Sequence, residues 1–363
     1  MPITEKQVLE ALSHVEEPDL KKDLVTLNMV KDVAIDRKKV AFTVILTTPA
    51  CPLKDVIRKA CETAIQTIVD PEAQVEIHMT AEVTEDKEQS GPQLPGVKNV
   101  VVVASGKGGV GKSTVAANLA IALAQSGAKT GLVDADIYGP SVPTLFGLEG
   151  ERPRLEEVNG KEQMLPFERH GVKVNSIGFL VPPGQAVVWR GPMASNALKQ
   201  LFTDTHWGEL DYLIVDLPPG TGDIHITIAQ QFPVNGAVMV TTPQNVALSD
   251  VRKAIAMFVA PQINVPILGL VENMAWFETD ELPGRKFFLF GEGGGQTLAE
   301  EYNVELLGQI PIEESIRQSG DDGSPAAMQT ETPSFRAFSE LAAAVAQQIS
   351  IRNAHLAAQP SVG

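Results

Sequence analysis

Residues 101–114, VVVASGKGGVGKST, decide how this chain folds. The apolar run at residues 100–104 reads as a strand buried on both faces. It enters a glycine-rich loop in which Gly106, Gly111, Lys112 and Ser113 fit the spacing GxxxxGK[ST]. A helical run at residues 115–125 leaves the loop. Glycines let consecutive backbone N–H groups curl around phosphate oxygens without Cβ clashes. The helix N-terminus adds positive potential there. The Lys112 ammonium then meets the β- and γ-phosphates, and the Ser113 hydroxyl is placed to ligate Mg²⁺. The expected nucleotide cradle is Gly106, Lys107, Gly108, Gly109, Val110, Gly111, Lys112, Ser113 and Thr114, with ATP and Mg²⁺ as cofactors. Lys107 is an extra cation that a plain phosphate loop does not require.

The rest of the composition narrows the class. A chain of 363 residues suggests two or three domains, and 44% hydrophobic residues suffice for real cores. No run approaches the ~18 apolar residues needed to span a bilayer. The start, MPITEKQVLEAL, lacks the cationic-then-apolar pattern of a signal peptide. The expectation is a cytoplasmic protein with no membrane partner. A formal charge of −16 argues against nucleic acid as a partner, because such binding needs Lys and Arg to neutralise phosphates. Only Cys51 and Cys61 are present. That excludes a disulfide scaffold. One chain also cannot offer the four thiolates usual for an iron–sulfur cluster.

The organisation follows from composition. Residues 1–83 read as a small α/β domain. Helical spacing covers residues 5–15 and 52–69, and residues 40–46 and 75–79 read as strands. On the second helix Val56, Ile57, Ala60, Cys61, Ala64, Ile65 and Ile68 share one face. Residues 84–98 are polar with Pro and Gly and read as a linker. Residues 99–352 alternate short apolar strands with helices, and residues 353–363 read as a frayed tail. The strands are predicted at 100–104, 130–134, 212–216, 236–241, 267–272 and 306–310. Continuous apolar runs of this kind suit a mostly parallel sheet flanked by helices. The expected fold is therefore α/β, a P-loop NTPase with a small N-terminal α/β domain. Ligands gather at the carboxyl ends of such strands.

Polar residues do follow those ends. LVDADIYGPS carries Asp134 and Asp136, and YLIVDLPPGTGD carries Asp216. Asp216 is expected to hold Mg²⁺, and Asp136 to position the attacking water. Asp134 either joins them or supports the loop by hydrogen bonding. Pro218, Pro219 and Gly220 form a switch loop able to sense the γ-phosphate. Asn273 either reads adenine, its amide offering donor and acceptor, or caps a helix. The glycine run at 291–295 lacks a following GK[ST] and reads as a flexible turn.

The segments GKGGVGKST, VDADIYGPS, VWRGPM, IVDLPPGTGD, VENM and FGEGGG occur in that order. Together they resemble the Mrp/ApbC family of iron–sulfur cluster carriers, within the SIMIBI ATPases that include MinD and ParA. EEPDL and TTPACP in the first domain resemble the MIP18-type domain often fused to it. The resemblance implies ATP hydrolysis, a homodimer, and cluster transfer to apoprotein acceptors together with iron–sulfur assembly proteins. It implies that Lys107 reaches across the dimer to the partner's nucleotide, so that Lys107, Lys112 and Asp136 form the catalytic set. The alternative within the group is a positioning or regulatory switch like MinD or ParA. The resemblance assigns no physical role to Trp189 or Arg190 of VWRGPM.

One departure matters. Many members carry CxxC after VENM, where paired subunits hold a bridging [4Fe–4S] cluster. Here that region has no cysteine, and carboxylates such as Glu278 or Asp280 are poor substitutes for thiolate. A cluster, if carried, is expected to be labile. Cys51 precedes Pro52 and is expected at a helix N-terminus, which would favour its thiolate. It is the candidate cluster thiol, with a small buried hydrophobe as the alternative. Cys61 lies on the apolar stripe, about 15 Å further at ~1.5 Å per residue, and reads as core.

Overall fold

The apolar runs of the larger unit line up as one sheet of eight strands. Its order is Phe167–Arg169, Val172–Ser176, Thr130–Asp134, Leu210–Asp216, Val97–Ser105, Val234–Thr241, Ile267–Phe277 and Glu305–Ile312. Every pairing is parallel except that of the first two. This is a computed structural model, and it describes residues 2–85, 94–158, 160–181, 191–279, 281–282 and 284–358.

The strand Val97–Ser105 sits between Leu210–Asp216 and Val234–Thr241, so the phosphate-loop motif leaves the middle of the sheet. Its residues Val100, Val101, Val102, Val103 and Ala104 are all buried, as expected of a strand covered on both faces. Helix Lys112–Gln125 is buried almost throughout, from Val115 to Leu123, and so shows little amphipathicity. The strand Val172–Ser176 is not among those predicted from the sequence. Its polar residues Asn175 and Ser176 interrupt the apolar signal, yet both are fully buried. Asn175 donates to Thr205 Oγ1 at 2.7 Å and Ser176 donates to Asp134 Oδ2 at 2.9 Å, which makes that burial tolerable.

The smaller unit comprises Met1–Glu85 together with Ala346–Gly363, and the larger comprises Asp86–Val345. The smaller has helix Glu5–Leu12, opened by a Thr4/Gln7 capping box, and helix Lys54–Ile68. These accompany a three-stranded sheet ordered Val30–Asp36, Lys39–Leu46, Gln74–Ala81. Ile57, Cys61 and Ile65 enter its core, whereas Val56 and Ile68, predicted on the same face, are 56% and 49% exposed. The buried stripe is narrower than the apolar one. Of the predicted linker, residues 86–93 lie outside the described residues, and Val97 and Lys98 already belong to the central strand. The last helix, Pro333–Ala358, runs through residues 353–358, which the sequence analysis gives to a frayed tail. Asn353 is buried there and donates to the Thr84 carbonyl at 3.1 Å.

Gly106 makes the loop possible by its lack of a side chain. A Cβ there would lie 2.2 Å from the Asp250 carbonyl carbon and 2.3 Å from Val251 N, both rigid helix backbone. At Gly108 the nearest such atom is Pro219 Cγ at 3.8 Å. Gly106→Ala should therefore lose about 1–3 kcal/mol by overpacking, while Gly108→Ala stays near wild type in a thermal melt. Equal melting of the two variants would contradict this packing.

Candidate nucleotide site

The loop between Ser105 and Lys112 turns on Gly109 and Gly111, whose φ angles are +81° and +80°. Side chains are strained in that region, and glycine is not. Gly111 is the N-cap of helix Lys112–Gln125 and supplies no side-chain cap. The first N–H groups of the helix are thus left for a ligand. Val110 is buried and anchors the loop.

Four ionisable groups converge beneath this turn. Lys112, only 6% exposed, places Nζ 2.5 Å from Asp216 Oδ1 and 3.7 Å from Asp136 Oδ2. It also donates to Ser113 Oγ at 3.1 Å. Asp216 is fully buried, and its Oδ2 has no hydrogen-bond partner among the described residues. Burial pushes its carboxyl above the usual range, and the Lys112 ammonium opposes that rise. Asp136 accepts at Oδ1 from the N–H groups of Tyr138 and Gly139, at 3.2 and 3.3 Å.

Asp134 is the hub of the loop that carries Asp136. Its Oδ1 accepts from Asp136 N at 3.1 Å, and its Oδ2 from Val142 N at 3.1 Å and Ser176 Oγ at 2.9 Å. These bonds account for its burial, and they match the supporting alternative of the sequence analysis. Burial, with Asp216 nearby, pushes its carboxyl up to about 7.

Asn273 lies inside the strand Ile267–Phe277 and caps no helix. Its Nδ2 donates to the Val110 carbonyl at 2.9 Å, which ties the phosphate loop to the strand where a base is expected. Next to it, buried Glu272 accepts from Gly295 N at 2.5 Å and from Gln309 Nε2 at 2.7 Å. The glycine run at 291–295 is therefore no free turn. Gly293 caps helix Gly294–Tyr302, and a Cβ at Gly294 would lie 2.7 Å from both Pro243 O and Leu248 Cδ1.

The structure brings Lys112, Ser113, Asp136, Asp216 and Asn273 to one end of the sheet. Lys107 is half-buried and forms no ion pair among the described residues. Trp189, Arg190 and Asp280 lie outside the described residues. Two residues at the site, His225 and Ser176, carry no signal that marks them in the sequence. Ser176 could have been found only from strand register, which sets it opposite Asp134.

The expectation for Cys51 is corrected. The helix begins at Lys54 with Leu53 as N-cap, so Cys51 stands outside its first turn. Burial pushes the Cys51 thiol up, and the nearby carboxylates of Glu17 and Asp19 add to that rise. Cys61 is fully buried, as expected of core, and burial pushes its thiol up to about 12.

Residues 96–346 match the family described as ParA: NUBPL iron-transfer P-loop NTPase. The chain belongs to that family. Residues 5–79 match a second family, described as iron–sulfur cluster assembly protein. A relative from Synechocystis, named iron–sulfur cluster carrier protein, is 48% identical over 96% of this chain and 99% of its own. One of the same name from Deinococcus radiodurans is 46% identical over 95% of each. Among solved structures, a nucleotide-binding protein from Archaeoglobus fulgidus in complex with ADP is 38% identical. It has a TM-score of 0.55 and covers 67% of this chain and 92% of its own. In this P-loop NTPase, no described helix is long and apolar enough to cross a membrane.

The raised Asp134 carboxyl has a signed consequence. Between about pH 4 and pH 7 the folded state holds a proton there that the unfolded state has released. Stability of the ligand-free protein should therefore fall as pH rises through that window, by at most about 1.4 kcal/mol per pH unit from this group. Asp134→Asn should flatten that slope in urea melts at pH 5, 6 and 7. An unchanged slope would show that Asp134 titrates normally.

Proposed function

We propose that this chain binds and hydrolyses MgATP and uses the cycle to carry iron–sulfur clusters to apoprotein acceptors. The observation that carries the nucleotide half is Lys112. It is a buried ammonium at a helix N-terminus under a glycine loop, held between Asp216 and Asp136. The oxygen donors suit Mg²⁺, since the Ser113 hydroxyl lies beside Lys112 and buried Asp216 Oδ2 has no hydrogen-bond partner among the described residues. When bound, Mg²⁺ would neutralise charge developing on the phosphates.

The chain's own residues do the rest. The N–H groups of residues 108–114 bind phosphate oxygens, and Lys112 shifts toward the β- and γ-phosphates from its carboxylates. Asp136, its backbone fixed through Asp134, orients water for in-line attack. Asn273 keeps its amide nitrogen on Val110, which leaves Oδ1 to accept from an adenine amino group. Lys107, without an acidic partner among the described residues, serves the nucleotide of a second subunit in a cytoplasmic homodimer.

The cargo half rests on the two family matches and on the relatives' name. The cluster is a substrate in transit. Cys51 is the half-buried thiol and Cys61 the inaccessible one, so protein thiol ligation falls to Cys51 with other ligands from a partner. In anaerobic reconstitution with iron and sulfide, Cys51→Ser should lose bound iron and transfer, while Cys61→Ser should mainly lose stability. A [4Fe–4S] spectrum intact in the double variant would remove both thiols from the proposal.

Two lysine variants separate binding from turnover. Lys112→Ala should weaken nucleotide affinity roughly 10–100-fold, from about 1.5–3 kcal/mol of charge-assisted hydrogen bonding. Lys107→Ala should bind normally yet hydrolyse at least about a hundredfold more slowly, as when a cation supplied across an interface is removed. Wild-type affinity and turnover in Lys112→Ala would end the phosphate-loop assignment. Unchanged turnover in Lys107→Ala would end the trans assignment.

A further inference from the structure

The two ends of the loop after Asp216 are joined by one imidazole. Residues 217–222 connect the strand Leu210–Asp216 to helix Asp223–Gln231. Leu217 and Pro218 are buried at its start, whereas Pro219, Thr221 and Gly222 are exposed, so packing fixes its first two residues and leaves the exposed part to hydrogen bonds. His225, in the first turn of that helix, is 1% exposed. Its Nδ1 accepts from Gly222 N at 3.2 Å, and its Nε2 lies 3.0 Å from the Pro218 carbonyl. A backbone N–H on Nδ1 fixes the tautomer, because Nδ1 must then be the acceptor. Nε2 carries the proton and donates to Pro218. The ring is neutral, and burial favours that state by lowering its pKa. Phe258 meets the ring edge-on, with centroids 6.2 Å apart.

Helix capping would require only the Gly222 bond. The Pro218 bond crosses the loop to its other end. The closed loop faces the phosphate loop directly: Gly220 N donates to the Ser105 carbonyl at 2.8 Å, and Pro219 Cγ would lie 3.8 Å from a Cβ at Gly108. We propose that His225 is a positioning residue for hydrolysis, whose neutral imidazole latches Pro218 to Gly222 and so sets the loop against the phosphate cradle. This rests on the ATPase reading above. The ring touches no substrate. It acts through the backbone of the loop, at Pro218 and Gly222.

The test compares His225→Leu, which fills space without polar atoms, with His225→Gln, which has both a donor and an acceptor. A fluorescent ADP analogue measures binding, MgATP titration gives kcat and KM, and amide exchange follows residues 217–223. His225→Leu should bind within about twofold of wild type, lose at least about tenfold in kcat, and exchange faster in the loop. His225→Gln should recover most of kcat and of the protection. Full kcat in His225→Leu overturns the latch. So does a parallel collapse of binding and kcat that Gln does not relieve, since that is packing alone. Should wild type bind nucleotide without hydrolysing it, the ATPase reading fails separately. Loop exchange then decides the latch, and equal exchange in wild type and His225→Leu overturns it.

Discussion

The buried contact between Lys112 and Asp216 is the constraint on which the site depends. An ammonium and a carboxylate 2.5 Å apart, 6% and 0% exposed, are both stripped of water. Removing one partner of such a pair typically costs about 3–5 kcal/mol, because the other charge is left stranded. Their positions are therefore tightly set before any ligand arrives. Asp216 ends a central strand, and Lys112 begins the helix that follows the neighbouring strand. The contact thus pins the phosphate loop to the strand beside it.

Register does the rest of the positioning. In the parallel sheet Ser176 pairs with Asp134, Asp134 with Asp216, and Asp216 with Val103. Three polar side chains from three strands thereby reach the same level at the carboxyl edge. A slip of one residue would turn each of them to the opposite face of the sheet. The hydrogen bonds of Asp134 then carry that order into the loop of Asp136.

Much of this is legible in the sequence because the signals are local. The glycine spacing, the apolar runs and the Asp that ends two of those runs all sit within a few residues. The fold class, the phosphate loop and the carboxylates follow from them. Signals that depend on distant partners are not legible. Ser176 lies in a strand that its sequence does not announce, and only the sheet order places it beside Asp134. His225 looks like one more polar residue on a helix, because its bond to Pro218 exists only once the loop closes. Cys51 is misread for a related reason. Pro52 suggests a helix start, but the helix begins at Lys54, and the carboxylates of Glu17 and Asp19 reach the thiol from a distant part of the sequence.

Charge balance gives the proposed mechanism its sharpest requirement. Three carboxylates and one ammonium converge at this strand edge, and phosphates are themselves anions. Burial already favours a proton on Asp134 at neutral pH, which relieves part of the excess. Lys112 cannot serve both the carboxylates and two phosphates at full strength. Asp216 would release Lys112 from its closest contact on holding a divalent cation, and a second lysine near the phosphates would supply the rest. Lys107 is the cation in the same loop with no ion pair of its own among the described residues. Under the proposed function, Mg²⁺ and a second lysine would be parts of one neutralisation, and hydrolysis would wait until both are in place. A subunit that gains its second cation only from a partner would then hydrolyse ATP only when paired, which ties the chemical step to assembly.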